Sequence, residues 1–382
     1  MMKRIRPDYY EKFQCIAGLC SITCCQEWKI AVDADTNRKW KKLLPPQDVT
    51  PQKKNLSAYT TNKNGGRVIE LTEDHKCPFL NKNKLCKLVT AYGDKVLSQT
   101  CTVFPREVHR FSEWEEETLM PCCPAVIDLL REEEESHIRM ERWTAADEYE
   151  QICVMIRNKI ADFFSEYDKS VEEILLCAFY ILSELYRVKE KISTEIVSEY
   201  FSDESEKQLV KAIRELASNP AATMEEQNEL LQDLAVNYRK EGLYQNYLDP
   251  VIDAAEELSE HYEDLDLPRL SDAFAVEFNR YEPLMKKFLK NEMLSDLFSP
   301  DGDIESMMVH FQWIAMEYAV IRHSIFLQWY QSGKGEIPYE LVRDYIVVIC
   351  RMTGYEEEDI YEYLENSFES LIWDFGYLAL II

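Results

Sequence analysis

The sequence predicts a mainly α-helical protein in two parts. Residues 1–125 are expected to form a small cysteine-rich, metal-binding N-terminal domain, and residues 126–382 a larger, acidic multi-helical domain. Nine of the twelve cysteines and eight of the fourteen prolines lie within the first 124 residues. Beyond that point proline and glycine become sparse, and apolar residues recur at helical spacing. A chain of 382 residues is also long enough for two domains.

The helical part is predicted from stripes of apolar residues. One stripe runs from Val171 to Leu185 and another from Leu341 to Met352, each at i, i+3, i+4 and i+7 spacing. Helix-breaking pairs should divide the segment into helices of roughly 15 to 30 residues joined by short loops. These pairs are Asn219-Pro220, Asp249-Pro250, Leu267-Pro268, Ser299-Pro300 and Ser332-Gly333. The sequence therefore predicts an all-helical array beyond residue 125.

Two local patterns stand out in the N-terminal part. The alternating segment Arg67–Leu71 predicts a short strand that precedes the Cys77 loop. Asp33 is expected to cap a helix that carries Trp40 and Leu43, because a carboxylate at that position accepts hydrogen bonds from free backbone N–H groups. An alternative is that Asp33 lines a metal or substrate cleft.

Charge is distributed unevenly along the chain, whose net charge is −27. Residues 1–125 carry 20 basic and 15 acidic side chains, whereas residues 126–382 carry 23 basic and 55 acidic ones. An acidic body argues against nucleic acid as the main ligand, because phosphate binding depends on lysine and arginine. It favours a basic partner, such as a lysine-bearing protein surface, or it only keeps the protein soluble.

The apolar pattern predicts neither a membrane partner nor a secretory signal. No run of about 18 apolar residues exists, and the basic start of the chain lacks the apolar stretch of a signal peptide. We therefore expect a cytoplasmic protein with no membrane association. In that compartment thiols stay reduced, so clustered cysteines bind metal more often than they form disulfides.

The N-terminal cysteines are the candidate metal ligands. Thiolates bind zinc or iron–sulfur clusters because sulfur is soft and negatively charged, and four of them complete a site. Adjacent prolines restrict the backbone and help to preorganise the ligands. The candidates are Cys15, Cys20, Cys24, Cys25, Cys77, Cys86, Cys101, Cys122 and Cys123. The spacing leaves iron–sulfur and zinc both open, while Cys153, Cys177 and Cys350 are expected to be core residues.

Other side chains were considered for roles near this centre. Trp28 and Phe104 are expected to cover the metal, and Arg106 is expected to form an ion pair with a carboxylate or to face the cluster. Tyr92 is a further candidate near the chemistry. The two histidines of this region and one acidic run each have two possible interpretations. His75 and His109 are alternative zinc ligands but more simply exposed polar residues, and Glu132–Glu135 is a solvated helix face or an acidic dock for substrate lysines.

Four motifs resemble those of a known family, the flagellin lysine N-methylases, which are related to cysteine-rich zinc- or iron-chelating proteins. The motifs occur in the same order over about 120 residues, and the helical remainder matches in character only. They are Tyr9-Tyr10-Glu11-Lys12-Phe13-Gln14-Cys15 with Cys20, Cys24, Cys25 and Trp28, then Cys77-Pro78-Phe79-Leu80 with Cys86, then Thr100-Cys101 with Phe104-Pro105-Arg106, and finally Cys123-Pro124-Ala125.

The resemblance implies a protein-lysine N-methyltransferase that uses S-adenosylmethionine, acts on flagellin and contains an iron–sulfur cluster of the 4Fe-4S type. Carried over by position, the implied ligands are Cys15, Cys20, Cys24, Cys25, Cys77, Cys86, Cys101 and Cys123. Cys122 falls outside the family's pattern. The catalytic residues and the residues that bind S-adenosylmethionine are not implied.

The residues also limit the chemistry. The glycine-rich nucleotide-binding signature and the strand–helix alternation of a doubly wound sheet are both absent from the sequence. The C-x3-C-x2-C spacing of radical S-adenosylmethionine enzymes is absent too, because Cys25 directly follows Cys24. A methylase therefore needs an unconventional cofactor site. Two alternatives stay open: an iron–sulfur electron-transfer protein, and an interaction module in which metal only stabilises the N-terminal part.

Overall fold

The computed structural model describes residues 2–63, 65–140, 147–166, 168–217, 219–262, 265–354, 357–368 and 370–382. Helices dominate it, which confirms the mainly α fold class. The described residues form five short strands: β1 (Lys3–Ile5), β2 (Thr60–Lys63), β3 (Gly66–Ile69), β4 (Arg106–Arg110) and β5 (Trp114–Leu119). From residue 124 onward the described residues form helices and turns without a strand, as the apolar stripes predict.

The helices up to residue 214 are α1 (Ala34–Trp40), α2 (Lys87–Tyr92), α3 (Gln99–Val103), α4 (Pro124–Glu132), α5 (Glu148–Phe163), α6 (Val171–Arg187), α7 (Thr194–Tyr200) and α8 (Asp203–Arg214). The later ones are α9 (Pro220–Lys240), α10 (Gln245–Glu260), α11 (Leu267–Phe278), α12 (Glu282–Ser295), α13 (Ile304–Gln331), α14 (Tyr339–Thr353), α15 (Glu357–Phe368) and α16 (Phe375–Ile381). The two apolar stripes lie on α6 and α14, so both are confirmed.

Most of the helix-breaking pairs act as predicted. Asn219 caps α9 and Pro220 occupies its first turn, where a missing N–H costs nothing. The exception is Asp249-Pro250: α10 runs through it without ending, so the predicted break is wrong. Pro250 is six residues into α10, and the buried face of Leu248, Val251 and Ile252 packs well enough to outweigh the hydrogen bond that proline removes.

Two sheets accompany the helices in the N-terminal third. Strands β2 and β3 form an antiparallel hairpin, which confirms the strand predicted near residue 67. The other sheet has the order β1–β5–β4, with β1 parallel to β5 and β4 antiparallel to it. This second sheet lies against α12, and it places Glu107 and His109 of β4 on one face because side chains alternate along a strand.

Asp33 caps α1 as predicted, with its Oδ1 accepting from the backbone N–H of Thr36 over 2.8 Å. The helix ends at Trp40, before Leu43. The prediction of a solvated helix face over Glu132–Glu135 is wrong, because α4 ends at Glu132 and the backbone is extended at Glu133. The Glu133 carboxylate accepts from Lys12 over 2.5 Å instead of lying on a solvated helical face. The alternative, an acidic dock for substrate lysines, stays a prediction.

Buried apolar residues form two clusters. The smaller one is built from the segment between Ile30 and Val96 and includes Trp40, Phe79 and Cys77. The larger one joins the start of the chain, the sheet around β5 and the helices from α4 onward into one core. The predicted boundary between residues 125 and 126 stays a prediction, and the larger core draws on both sides of it.

No described helix is long and apolar enough to span a bilayer.

Candidate metal centre

A turn at residues 22–28 places the first cysteines of the site. The backbone N–H of Cys25 donates to Thr23 Oγ1 over 3.3 Å, and the indole Nε1 of Trp28 donates to the carbonyl of Cys24 over 2.6 Å. Glu27 adopts a positive φ of 63°, a conformation that is uncommon for residues other than glycine. These constraints hold Cys24 and Cys25 in a compact loop.

Backbone pairing brings the next two cysteines to that loop. The N–H of Cys77 donates to the carbonyl of Cys25 over 2.7 Å. An isolated bridge between Leu80 and Cys86 then closes the following loop, and Cys86 becomes the residue just before α2. Phe79 is buried within this loop against the rings of Trp40 and Tyr59, which anchors the loop to the smaller core.

Asp33 and Ser98 position the fifth cysteine. Ser98 Oγ accepts from the N–H of Cys101 over 3.2 Å at the start of α3. The second carboxylate oxygen of Asp33 accepts from the N–H of Gln99 over 2.9 Å, so one carboxylate joins the starts of α1 and α3. Burial alone would raise the pKa of Asp33, but the N–H groups of Gln99 and Thr36 lower it to about 2. Asp33 therefore acts in capping, as predicted, and also aligns the helix that carries Cys101.

Five thiols converge as a result. We call them the inner cysteine group: Cys24, Cys25, Cys77, Cys86 and Cys101. A hydrogen bond from Cys25 lowers the pKa of Cys24 to about 7, helped by the Arg351 guanidinium and opposed by burial. Cys25 has a raised pKa, first because of that same hydrogen bond and then because of burial and the nearby thiols. The remaining members have raised pKa values, first through burial and then through one another.

Three further predicted ligands lie beside this group, and we call them the outer cysteine group: Cys15, Cys20 and Cys123. The Cys20 thiol donates to the carbonyl of Ile22 over 3.2 Å, and Cys15 is exposed. Burial raises the pKa of Cys123 to about 12; two N–H groups at the start of α4 oppose the shift, and Cys20 and Cys24 add to it. Cys24 thus interacts with both groups. Whether any predicted cysteine binds metal stays a prediction.

Arg351 on α14 joins the helical part to the cysteines, and sequence reasoning missed it. Its guanidinium donates to three backbone carbonyls, those of Cys122 (3.0 Å), Thr23 (3.2 Å) and Ile22 (3.0 Å). It also lies 5.5 Å from the ring centroid of Trp28. The only available signal was a charged residue inside the apolar run of α14, which periodicity alone does not connect to a loop more than 300 residues earlier.

The other side chains considered from sequence have mixed outcomes. Trp28 and Phe104 meet edge to face at 4.8 Å between centroids, beside the inner cysteine group. Arg106 forms no ion pair among the described residues and instead lies over the rings of Tyr10 and Phe13, so the expected carboxylate partner is wrong. The alternative, that Arg106 faces the cluster, stays a prediction. Tyr92 donates to a backbone carbonyl at the surface.

Neither histidine is exposed as expected. His75 is half-buried, with its carbonyl accepting from the N–H of Glu27. His109 is also half-buried, and its ring lies with Glu107 and Asp296 instead of with the cysteines. Cys153, Cys177 and Cys350 are buried in the larger core, as predicted.

Comparison with known proteins connects this architecture to one class. A family model described as FliB lysine N-methylase C-terminal domain matches residues 157–381, more than half of the chain. The flagellar biosynthetic protein FliU of Salmonella muenchen is 32% identical over 124 residues, which are 31% of this chain and 72% of FliU. No solved structure matches.

Two proteins named lysine-N-methylase are also similar. The one from Salmonella typhimurium strain LT2 is 31% identical over 124 residues, and the one from Salmonella choleraesuis is 28% identical over 127 residues. Each alignment covers 31% of this chain and 30% of the relative, so the matched part spans less than a third of those relatives. The class these matches define is that of protein-lysine N-methylases. This chain belongs to the FliB lysine N-methylase family.

Proposed function

We propose that the protein is an S-adenosylmethionine-dependent protein-lysine N-methyltransferase that acts on flagellin and carries a cysteine-ligated iron–sulfur cluster. The observation that carries the proposal is the match of the FliB lysine N-methylase model to the helical part, combined with the gathering of cysteines against that part. The relatives' names, which refer to flagellar biosynthesis and lysine methylation, support the substrate.

The donor chemistry fits an iron–sulfur cluster. Four or more thiols with no intervening carboxylate form a soft ligand set, and the Arg351 guanidinium lies near Cys24 and Cys20, where it offsets negative charge. The raised pKa values within the inner cysteine group mean that several thiolates are costly there without a cation. A bound metal centre supplies that cation.

Spacing favours iron–sulfur over zinc. Four thiolates bound tetrahedrally to one zinc ion, with bonds of about 2.3 Å, bring their sulfur atoms to within about 4 Å of each other. Among the described residues no three cysteine sulfurs all lie within 4.8 Å of one another. A polynuclear cluster, which spreads its ligands further apart, suits the inner cysteine group better than a single ion.

Each part of the protein has a distinct task in this proposal. Cysteines of the inner group would hold the cluster, which when bound supplies an electron-transfer centre or an iron position for the methyl donor. Trp28 and Phe104 exclude water from one side of the group. Methyl transfer also needs a deprotonated lysine amine aligned with the sulfonium. The acidic surface of residues 126–382 favours approach of a lysine-bearing partner.

The test is methyl transfer to purified flagellin. Protein isolated without oxygen, incubated with S-adenosylmethionine and flagellin, should add mass to flagellin in steps of one methyl group at lysines. Cys101→Ser should abolish the transfer, and Cys177→Ser should preserve it because Cys177 is buried on α6, away from the cysteine groups. A reversible cluster signal without methyl transfer or cofactor binding would instead establish an electron-transfer protein.

A further inference from the structure

A second set of metal-ligand side chains lies on β4, α13 and the end of α12, near Cys122 and Cys350, and contains none of the eight cysteines that the family resemblance implies as ligands. Glu107 and His109 share one face of β4, and Asp296, the residue just after the end of α12, lies about one helical turn after Glu292. Glu317 lies on α13, about two helical turns after His310. We call these the carboxylate–histidine cluster: Glu107, His109, Glu292, Asp296 and Glu317.

The outer part of the cluster has ligand geometry. One ligand atom from each of Glu107, His109 and Asp296 lies within 4.8 Å of the other two. His109 Nε2 is 3.4 Å from Glu107 Oε1, and the side chains of His109 and Glu107 keep 18% and 31% of their surface exposed. An ion can therefore enter from the β4 side without unfolding the core.

The inner part of the cluster is fully enclosed. Glu292 and Glu317 are 4% and 5% exposed, and with Cys350 they form a second trio whose ligand atoms lie within 4.8 Å of one another. The described contacts of Glu292 and Glu317 are uncharged: Asn291 donates to Glu292 over 3.2 Å, and Thr353 donates to Glu317.

Unused donor atoms point to a missing ligand. The Nδ1 atoms of His109 and His310 are buried without a hydrogen-bond partner among the described residues. Burial lowers the pKa of His310, and the backbone of Asp296 and the ring of His109 also act on that pKa, so His310 belongs to the same neighbourhood. Buried polar atoms of this kind are normally satisfied, so each calls for an explanation such as an ion.

The electrostatics agree with that geometry. Burial, and then repulsion from Asp296, Glu317 and Glu107, raises the pKa of Glu292. Burial and repulsion from Glu107 raise the pKa of Asp296, and among the described residues only His109 opposes the shift. Burial and mutual repulsion therefore disfavour the ionised carboxylates, and a bound cation would offset both.

We propose that Glu107, His109 and Asp296 bind a divalent transition-metal ion, with Glu292 behind them, at a second site built from residues other than the predicted cysteine ligands. Two carboxylates and an imidazole suit manganese, iron(II) or zinc, whereas the thiols of the cysteine groups suit softer centres. The imidazole disfavours calcium and magnesium, which take oxygen ligands. This inference goes beyond the methylase proposal and does not depend on it.

The test titrates the protein, isolated without oxygen, with Mn²⁺ and follows free Mn²⁺ by electron paramagnetic resonance. Mn²⁺ prefers oxygen and nitrogen ligands, so it reports on this site more than on the thiols. The wild type should bind one Mn²⁺ per chain and should gain thermal stability on binding. Asp296→Asn and His109→Ala should each weaken the affinity at least tenfold, and His137→Ala, at a half-exposed histidine paired with Glu133, should leave it unchanged.

Glu107→Gln is a variant that should still fold, because the Glu107 side chain is partly exposed on β4 and the replacement is isosteric. It should fold with a normal circular dichroism spectrum and lose the stabilisation by Mn²⁺. Absence of Mn²⁺ binding to the wild type would overturn the proposal, as would equal affinity in the folded variants. Loss of lysine methylation in these variants without any metal binding by the wild type would also overturn it, and would indicate a pocket for the substrate amine.

Discussion

The guanidinium of Arg351 donates to the carbonyl of Cys122 over 3.0 Å, across 229 residues of sequence. The same guanidinium also donates to the carbonyls of Ile22 and Thr23. A single side chain of α14 thus fixes both the loop before Cys24 and the loop before Cys123. Cysteines that are far apart in the sequence depend on this helical residue for their relative position.

Arg351→Met should destabilise the protein and loosen the cysteine centre. It leaves three buried carbonyls without a donor, at about 1–3 kcal/mol each, so we expect a loss of at least about 3 kcal/mol in the free energy of unfolding, together with reduced metal content. Urea unfolding and metal analysis measure both effects. Arg187→Met is the control, since the Arg187 side chain on α6 is 73% exposed, pairs with Glu184 and should cost below about 1 kcal/mol. Equal losses for the two variants would contradict the role given to Arg351.

Cysteine replacements should separate ligands from core residues. Cys25→Ser, Cys86→Ser and Cys101→Ser should each abolish bound metal and reduce soluble yield, because the thiolate and the folding energy of the centre are lost together. Cys177→Ser is the control: it also buries a hydroxyl group, because Cys177 is 1% exposed, but it should keep the metal. Retention of metal in all three variants of the inner cysteine group would remove that group as the ligand set.

The ion pair between Arg157 and Glu116 should be sensitive to loss of one partner. The guanidinium of Arg157 donates to both carboxylate oxygens, over 2.5 and 3.0 Å, and the side chains are 2% and 5% exposed. Arg157→Met leaves the buried carboxylate of Glu116 without its cation, so we expect a loss of roughly 3–5 kcal/mol in the free energy of unfolding. Adding Glu116→Leu to that variant should recover much of the loss. A double variant as unstable as the single one would show that packing, not the unpaired charge, dominates.

His323 should make the protein acid-sensitive. It is 1% exposed, and its Nε2 lies 2.5 Å from Asn228 Oδ1. Burial, and then the nearby Arg322, lowers the pKa of His323 from 6.5 to about 3. Below pH 6.5 the imidazole is protonated in the unfolded chain, whereas in the folded chain it stays neutral down to about pH 3. The contribution of His323 to the free energy of unfolding is therefore fully present above pH 6.5 and is lost as the pH falls.

The measurement compares unfolding of the wild type and His323→Gln at pH 7 and pH 4. Between pH 7 and pH 4 the free energy of unfolding of the wild type should fall by roughly 3 kcal/mol more than that of the variant, because each pKa unit corresponds to 1.36 kcal/mol. His137→Gln, at a half-exposed site, should follow the wild type. Parallel losses in the wild type and His323→Gln would contradict the assignment of a buried neutral imidazole.

Local signals in the sequence predicted the local structure well. The stripes of α6 and α14, the Asp33 cap and the strand near residue 67 all follow from spacing within a few residues. Pro250 was misjudged because a local rule does not include the packing of the helix face around it. The end of α4 at Glu132 was likewise not predicted, and the next residue, Glu133, pairs with Lys12, which lies far away in the sequence.

Long-range contacts were beyond the sequence patterns. Arg106 lies over two aromatic rings of the chain's first residues, and Arg351 reaches loops at the opposite end of the chain. Glu107 and Asp296 look like ordinary polar residues of a strand and a helix until the fold brings them together. The cysteines were found because their residue type is itself informative, whereas a carboxylate becomes informative only when it is buried.

Iron, sulfide and zinc analysis of the protein isolated without oxygen, together with its absorbance spectrum, tests the central claim most directly. We expect iron and sulfide in similar amounts, a brown protein and broad visible absorption that disappears in Cys25→Ser. Colourless, fully folded protein without iron would contradict the claim that cysteines from distant parts of the first 123 residues hold one iron–sulfur centre.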